Sequence, residues 1–292
     1  MKKLMAFVLA CACTFSLAAC GDTKTEANTT KEETSNEVET KEETSEAKEV
    51  TADMAHAEGN FEVEDGKIVA LSEAGKELDW IEFPASAKKI DQQIFEKANA
   101  TKVTFESNED LELINTFSYA RNVSEVELPS ELSVISTALF NQCNNLKTIA
   151  IPANVTAIEN DAFHNCEALT DILFEGTSIE KVGIQAFSGC VALTSLDLPE
   201  GLETVSKWAF KGDEVLTSVV FPDTLTMIGK EAFKGCTALT DVTFNSTEPV
   251  EVGEDLFEEG QNVTVHVNEG SDLDTNFNQY FGTDCTKELI QD

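Results

Sequence analysis

A phenylalanine recurs along this chain at an almost constant interval. The steps between successive members are 22, 23, 23, 24, 23, 23 and 24 residues. The series is Phe95, Phe117, Phe140, Phe163, Phe187, Phe210, Phe233 and Phe257. A fixed period in this range is typical of a solenoid, in which one supersecondary unit is stacked many times. Because such a stack presents long regular surfaces rather than a preformed cleft, the pattern indicates binding more than catalysis.

The other apolar positions stand at fixed distances from each phenylalanine. A small residue follows three positions later and an aliphatic residue six positions later in most units. Two more apolar residues come at plus nine and plus eleven, such as Val219 and Phe221, and this spacing of two predicts a strand with both side chains on one face. Pro222 then ends the strand. A second apolar pair and a polar segment that favours a short helical turn complete the unit.

The resulting pattern, FxxCxxLxxIxIPxxVxxIxxxA, resembles the BspA-type leucine-rich repeat of bacterial cell-surface proteins. The resemblance covers about residues 78–257, with degraded units at Phe95 and Phe117. It implies a leucine-rich-repeat solenoid, β-rich with short helical turns, of the α/β repeat class and wound as a single right-handed superhelical domain. The function that it implies is non-catalytic protein–protein binding or adhesion at the cell surface, without a cofactor.

The N-terminus has the features of a secretory signal. Two lysines precede a mostly apolar run from Leu4 to Leu17, which is too short for a typical membrane span. The small residues Ala18 and Ala19 then lead into Cys20, an order that resembles the lipobox of bacterial lipoproteins. That resemblance implies cleavage before Cys20 and a diacylglycerol group on its thiol. The alternative is ordinary signal cleavage, which leaves Cys20 a plain thiol.

Changes in composition divide the chain into four segments. We expect a lipoprotein signal peptide at 1–19, a lipid-anchored, disordered, acidic Thr/Glu/Lys tether at 20–60, the solenoid at 61–260 and a C-terminal cap at 261–292. The tether has almost no apolar side chain to bury, so it cannot offset the entropy cost of folding. In the cap, residues 263–267 alternate as a last strand, and Leu273, Phe277, Tyr280 and Phe281 have the spacing of a short amphipathic helix.

The charge of the chain restricts its partners. The formal net charge is -34, which repels nucleic acid and excludes it as a ligand. A protein ligand on a host or neighbouring cell is the expected partner, and a glycan is the other that the charge permits. The expected location is the extracytoplasmic side of a bacterial cell membrane, exposed at the surface and attached through Cys20 only.

Candidate chemistry is sparse. The chain contains no GxSxG, HExxH, phosphate-loop or GxGxxG motif, and the sequence therefore predicts a protein that is not an enzyme and has no cofactor or metal. Cys143, Cys166, Cys190 and Cys236 are a repeat or more apart and form no CxxC pair, so buried free thiols are expected rather than a zinc site. A disulfide between neighbouring units is geometrically conceivable. Asp213 interrupts this column, either through a local loop adjustment or to contact a cation or partner.

The exposed side of the long strands is the candidate binding face. Its residues are Thr170, Leu173, Thr194, Asp197, Thr217, Val220 and Thr240. Leu173 and Val220 are apolar at positions that should face water, which favours a contact surface. The threonines equally suit exposed strands with no ligand. The alternative function is an envelope lipoprotein that captures glycans or peptides for partner machinery.

The lipobox generates a prediction on anchoring. Replacing Cys20→Ala removes the thiol that would carry lipid, so the protein should move from the membrane to the soluble fraction or remain unprocessed. Fractionation and gel mobility of the two proteins measure this. A variant that fractionates and migrates like the original would contradict the lipid anchor.

Overall fold

The computed structural model of the protein describes residues 58–107, 109 and 111–290. A short 3-10 helix, Glu58–Asn60, leads into an antiparallel hairpin formed by β1 (Phe61–Glu64) and β2 (Lys67–Leu71). Helix α1 (Glu73–Lys76) follows, with the Ser72 hydroxyl accepting from the backbone N–H of Gly75. The signal peptide, Cys20 and all but the last three residues of the predicted tether lie outside the described residues.

From α1 onward the chain winds into a stack of turns, and each turn contributes one strand to a long-strand face. These strands are β3 (Trp80–Phe83), β5 (Lys102–Phe105), β7 (Glu125–Val126), β9 (Thr148–Ile151), β11 (Asp171–Phe174), β13 (Ser195–Asp197), β15 (Ser218–Phe221), β17 (Asp241–Phe244), β19 (Thr264–Asn268) and β20 (Thr286–Ile290). They pair in parallel as β3-β5-β7, β9-β11 and β13-β15-β17-β19-β20. Alternate residues, such as Val219 and Phe221, are buried in the core.

A second side of the stack, the short-strand face, consists of two-residue strands. These are β4 (Lys89–Ile90), β6 (Glu112–Leu113), β8 (Val134–Ile135), β10 (Ala157–Ile158), β12 (Lys181–Val182), β14 (Thr204–Val205), β16 (Met227–Ile228) and β18 (Glu251–Val252). The first two extend the sheet of β1 and β2, and the other six form one continuous parallel ladder. The second residue of every strand from β4 to β16 is buried, which confirms the second apolar pair of the repeat. The predicted leucine-rich-repeat solenoid is confirmed.

The third side, the turn face, carries the repeated phenylalanines. The helical turns expected there are instead tight turns, because Asp161 and Asn165, two residues either side of Phe163, have φ of 56° and 57°. The same positions have positive φ in most units. This conformation turns backbone N–H groups toward the next unit. The N–H groups of Asp161, Phe163 and Asn165 donate to the carbonyls of Ile184, Ala186 and Ser188, at 2.9, 2.7 and 2.8 Å. A third backbone ladder therefore joins the units.

The phenylalanine rings form one continuous stack inside the turn face. From Phe95 to Phe233, consecutive rings are 5.0–5.7 Å apart between centroids and within 10° of parallel. Stacked aromatic pairs contribute about 0.5–1.5 kcal/mol each beyond the burial of their surface. The stack ends at Phe257, which is only half-buried and packs against Phe281 of the cap.

The cysteine column lies beside the phenylalanines. Its four cysteines are buried and form no disulfide, which confirms the free-thiol interpretation. Each thiol donates to the carbonyl of a phenylalanine one unit earlier; Cys143 Sγ lies 2.9 Å from the Phe117 oxygen. Burial raises the pKa of these thiols, so they stay protonated and unreactive.

Asp213 occupies the cysteine position of its unit and is fully buried. One carboxyl oxygen accepts the N–H of Cys190 at 2.8 Å, whereas the other has no hydrogen-bond partner among the described residues. Burial raises the pKa of this carboxyl well above its ordinary value. Asp213 therefore destabilises the cysteine column. Its side chain has no contact with solvent, so a cation or a partner cannot reach it.

The C-terminal region closes the stack with two short helices, α2 (Asp272–Thr275) and α3 (Phe277–Phe281), followed by β20. The buried residues Leu273, Phe277 and Phe281 cover the last core layer. Strand β20 pairs in parallel with β19, and four of its five residues are exposed. Among residues 58–290 as described, no helix has the length and apolar composition of a membrane span.

The ring stack generates a prediction on stability. Phe187→Ala should cost roughly 3–5 kcal/mol of unfolding free energy, because it leaves a cavity between two fully buried rings. Phe257→Ala, at the half-buried end of the stack, should cost less. Urea titration of both variants measures the difference. An equal loss of unfolding free energy in the two variants would contradict the expectation that the interior rings of the stack contribute more than the ring at its end.

Asp213 generates a prediction on pH. The unfolded chain loses the proton near pH 4, whereas the folded chain keeps it to higher pH, so folding becomes less favourable as pH rises above 4. Asp213→Cys should therefore stabilise the protein by roughly 1–3 kcal/mol at pH 7 and by less at pH 4. Urea midpoints at both pH values measure this, with Asp197→Asn, on an exposed aspartate, as control. If the stability gained by Asp213→Cys is no larger at pH 7 than at pH 4, the raised pKa of the buried Asp213 carboxyl is contradicted.

Candidate functional site

The outward residues of the long-strand face lie in register. Asp197 pairs with Val220, Val220 with Thr243, Thr243 with His266 and His266 with Glu288. Because strand neighbours are about 5 Å apart, these side chains form one row across five strands. Val220 is partly buried between its neighbours rather than protruding. It therefore contributes a smaller apolar surface than its sequence position indicated.

The predicted threonine column lies where the chain enters each long strand. Thr170, Thr194, Thr217 and Thr240 are all exposed. The Thr217 hydroxyl donates to the Thr194 carbonyl at 2.9 Å, and Thr170 and Thr240 make the same bond to the preceding unit at 3.2 and 3.3 Å. These hydroxyls link consecutive units. The threonine column therefore has a structural role. The sequence had allowed both this role and a role in binding.

The ladder of the long-strand face is interrupted twice, between β7 and β9 and between β11 and β13. No strand pairing joins the two strands at either place in the part of the chain that the structure describes. We call the second interruption the gap. The gap separates Thr170 and Leu173 from the other predicted face residues. The gap comes directly after β11, which lies in the unit from Phe163 to Phe187. These two phenylalanines are 24 residues apart, the longest spacing in the centre of the repeat series. That unit also has Glu175 in place of the usual proline.

An apolar patch faces the gap. We call Ile172, Leu173 and Phe174 of β11 the β11 patch. Leu173 is 64% exposed, the largest exposed fraction of any large apolar side chain in the described residues. Ile172 and Phe174 are only partly buried, whereas the equivalent Val219 and Phe221 are fully covered. Leu173 points outward, whereas Ile172 and Phe174 pack against the core and, without a ladder neighbour, keep part of their surface in solvent.

The surroundings of the β11 patch are acidic. Asp171 and Glu175 flank it along the chain, and Asp197 faces outward on β13; all three are exposed. No lysine or arginine forms an ion pair with any of the three within 4 Å in the described ranges. An apolar centre with a polar rim is the usual composition of a protein-binding surface. The geometry therefore fits contact with a partner that carries positive charge.

The C-terminal end of the same face holds a histidine between two carboxylates. His266 Nε2 lies 3.2 Å from Asp241 Oδ1, and its Nδ1 lies 3.5 Å from Glu288 Oε2. The Thr240 hydroxyl and, next, His266 lower the pKa of the Asp241 carboxyl. Sequence reasoning missed Glu288, because β20 alternates no apolar residues and so gives no strand signal.

The histidines of the chain do not converge on one site in the described residues. His164 lies on the turn face and His266 on the long-strand face, and His56 lies outside the described residues. Within the described ranges, no group of three or more His, Cys, Asp or Glu side chains has an arrangement that could hold a metal ion. The arrangement at the β11 patch offers contact area and charge rather than reacting groups.

Sequence reasoning also missed a cluster of lysines around Trp208 on the turn face. Lys207 and Lys211 both lie over the Trp208 ring, with their Nζ atoms 3.5 and 5.1 Å from its centroid. Lys230 and Lys234 occupy the same repeat positions one unit later. This coincidence of position was the available signal, since residues at equal repeat positions stack in space.

The chain matches a known protein family. The profile of the BspA type leucine rich repeat region matches residues 73–170 and 168–285, in six copies. These ranges include the β11 patch, the lysine cluster and most of the long-strand face. No curated protein sequence matches the chain significantly.

Solved structures include several similar folds. A leucine-rich repeat protein from Bacteroides ovatus is 23% identical, with 76% of this chain and 64% of that chain covered and a TM-score of 0.49. A leucine-rich repeat protein of T. pallidum is 28% identical over 41% of this chain and 58% of that one, with a TM-score of 0.39. The pneumococcal vaccine antigen PcpA is 15% identical over 73% and 79%, with a TM-score of 0.41. The chain spans less than two thirds of the length of the first two.

Proposed function

The chain belongs to the BspA-type leucine-rich repeat family, and from that premise we propose that it is a lipid-anchored surface protein that binds another protein. The single observation that carries the proposal is the β11 patch, in which Leu173 is 64% exposed between Ile172 and Phe174, two core residues that are only partly covered at the gap between β11 and β13. A large exposed apolar side chain beside incompletely covered core residues is typical of a contact surface.

The partner is a protein with a basic contact surface. The β11 patch would supply the desolvated centre of the interface, and Asp171, Glu175 and Asp197 its acidic rim. The net charge of -34 would speed the approach of a positively charged partner, and this effect weakens as salt screens it. The row from Asp197 to Glu288 extends the contact surface beyond the gap.

Anchoring and adhesion are parts of the same proposal. Lipid on Cys20 would hold the chain at the membrane, and residues 21–60 would space the solenoid from it, over roughly 35 Å if they behave as a flexible coil. A repeat protein held in this way performs adhesion by binding a protein on a host or neighbouring cell. The proposed activity is non-catalytic and needs no cofactor.

The β11 patch generates the test of the proposal. The full chain is immobilised and exposed to a panel of purified host extracellular matrix proteins and to a glycan array. We expect binding to a basic matrix protein that weakens as salt rises. The double change Leu173→Glu, Val220→Glu should then lower the affinity by roughly tenfold or more, because it places one negative charge in the β11 patch and a second in the row beyond the gap.

The matched control is Ile184→Glu, the same kind of change at an apolar residue that is 41% exposed on the turn face. This variant should bind as the unmodified chain does, and all variants must first show unchanged melting temperatures. If the double variant keeps its affinity, the long-strand face is not the binding surface. Binding to glycans alone would overturn the proposal of a protein ligand.

A further inference from the structure

The lysine cluster concentrates positive charge on an acidic protein. Only 14 of the lysines and arginines fall between residues 58 and 290, and four of these lie in two adjacent units at matching positions. The four are Lys207, Lys211, Lys230 and Lys234. Backbone bonds place the two units in contact: the Trp208 N–H donates to the Lys230 carbonyl at 3.2 Å, and the Gly212 N–H to the Lys234 carbonyl at 2.9 Å.

The ion pairs within the cluster leave two lysines without a carboxylate partner. Lys230 lies within 4 Å of Glu231, Glu254 and Asp255, and Lys234 within 4 Å of Glu231. Lys207 and Lys211 form no such pair with any described residue, and their neighbour is the Trp208 ring. A cation over an indole ring keeps its positive charge and its hydrogen-bond donors available to an anion.

Trp208 adopts a conformation that its side chain does not favour. Its φ is 63°, in the left-handed region where a bulky residue is strained. Asn115 and Asp161, the short polar residues preferred in that region, occupy the same position in other units. The indole is held in place by its own N–H, which donates to Glu231 Oε2 at 2.9 Å. Positive φ is common to this position in every unit from Phe95 to Phe257, so this unit differs only in the bulky indole that occupies it.

A shallow groove runs from the cluster across the preceding units. It has a volume of about 450 Å³, and its side chains include His164, Asn165, Gln185, Lys211, the apolar Val191 and one carboxylate, Glu167. The Ser188 hydroxyl, also in the lining, is buried and already donates to the Lys211 carbonyl at 2.8 Å. The amides of Asn165 and Gln185 can both donate and accept hydrogen bonds, as sugar hydroxyls require. Lys211 lies at the boundary between this groove and the lysine cluster.

We propose that the groove and the lysine cluster together bind an anionic glycan whose carboxylates are spaced by neutral sugars. The amides of Asn165 and Gln185 would hold the neutral sugars, and Lys207 and Lys211 a carboxylate beside Trp208. A dense polyanion fits less well, because only two lysines of the cluster lack an ion pair among the described residues and the net charge of the protein repels it. A polypeptide of glutamate alone carries no hydroxyls for the groove amides to contact. This surface is separate from the β11 patch and does not depend on the protein-binding proposal.

Calorimetric titration of the full chain tests the proposal with hyaluronan fragments, in which every second sugar carries a carboxylate. Polygalacturonate fragments, with a carboxylate on every sugar, serve as a comparison ligand together with neutral dextran, poly-glutamate and heparin. We expect the hyaluronan fragments to bind with an affinity that falls as salt rises, and the comparison ligands to bind more weakly. If the hyaluronan fragments do not bind, or if any comparison ligand binds more tightly, the proposal is overturned.

Variants locate the site. The double change Lys207→Gln, Lys211→Gln should lower the affinity for the hyaluronan fragments by roughly tenfold or more, because charge-assisted hydrogen bonds are lost. The control pair Lys97→Gln and Lys181→Gln removes two exposed lysines outside the cluster and should leave the affinity unchanged. An equal loss of glycan affinity in the two double variants would mean that binding depends only on the overall charge, which contradicts a defined site.

Trp208→Asn separates binding from folding. Asparagine tolerates positive φ, so this variant should melt at the same temperature as the original or higher, yet bind the glycan at least several-fold more weakly. Ala138→Asn, at the equivalent position of a distant unit, should leave binding unchanged. The Leu173→Glu, Val220→Glu variant should also keep glycan binding. If the Trp208→Asn variant is stable and binds with unchanged affinity, the indole is not part of the binding site.

Discussion

The whole structure depends on one constraint, that no unit can bury its own phenylalanine. Each ring is covered by the rings of the units before and after it, at 5.0–5.7 Å, and each backbone turn donates its N–H groups to the next unit. A unit is therefore stable only within the stack. This requirement keeps the spacing near 23 residues and demands atypical ends, here a hairpin with α1 at one end and α2, α3 and β20 at the other.

The same constraint leaves the outward positions free to vary. A side chain that points away from the core affects neither the ring stack nor the backbone ladders, so surface chemistry can change from unit to unit without loss of the fold. Both surfaces proposed for binding lie where a unit departs from the regular pattern. The β11 patch lies at a gap that leaves core-type side chains uncovered, and Trp208 occupies a backbone position at which a smaller polar residue is less strained.

The distribution of charge separates those two surfaces. Among the described residues, the acidic side chains that flank the β11 patch form no ion pair, whereas Lys207 and Lys211 on the turn face lie over an indole ring and form no ion pair within 4 Å. Opposite partners therefore suit the two faces, a basic protein at one and a carboxylate-bearing glycan at the other. Because the faces lie on different sides of the same turns, occupation of one does not require the other to be empty.

The sequence by itself determined the repeat, its core columns and the alternation of the long strands, since a period in apolar residues directly reflects which side chains must be buried together. Phe187, Leu193 and Val219 could be assigned to the core in this way. It did not determine the conformation of the turns, where positive φ at Asp161 and Asn165 replaces a helical turn, because backbone dihedrals there are set by hydrogen bonds to the next unit. Nor did it indicate strand β20, whose exposed side chains carry no apolar alternation. The gap beside β11 and the bond from the Trp208 indole to Glu231 are relations between residues about one repeat apart that meet across the stack. Lys207 and Lys211 are near Trp208 in sequence, but their position over its ring depends on a turn conformation that backbone bonds to the next unit set. Only the tertiary structure decides such relations, because contacts with the neighbouring units fix each unit.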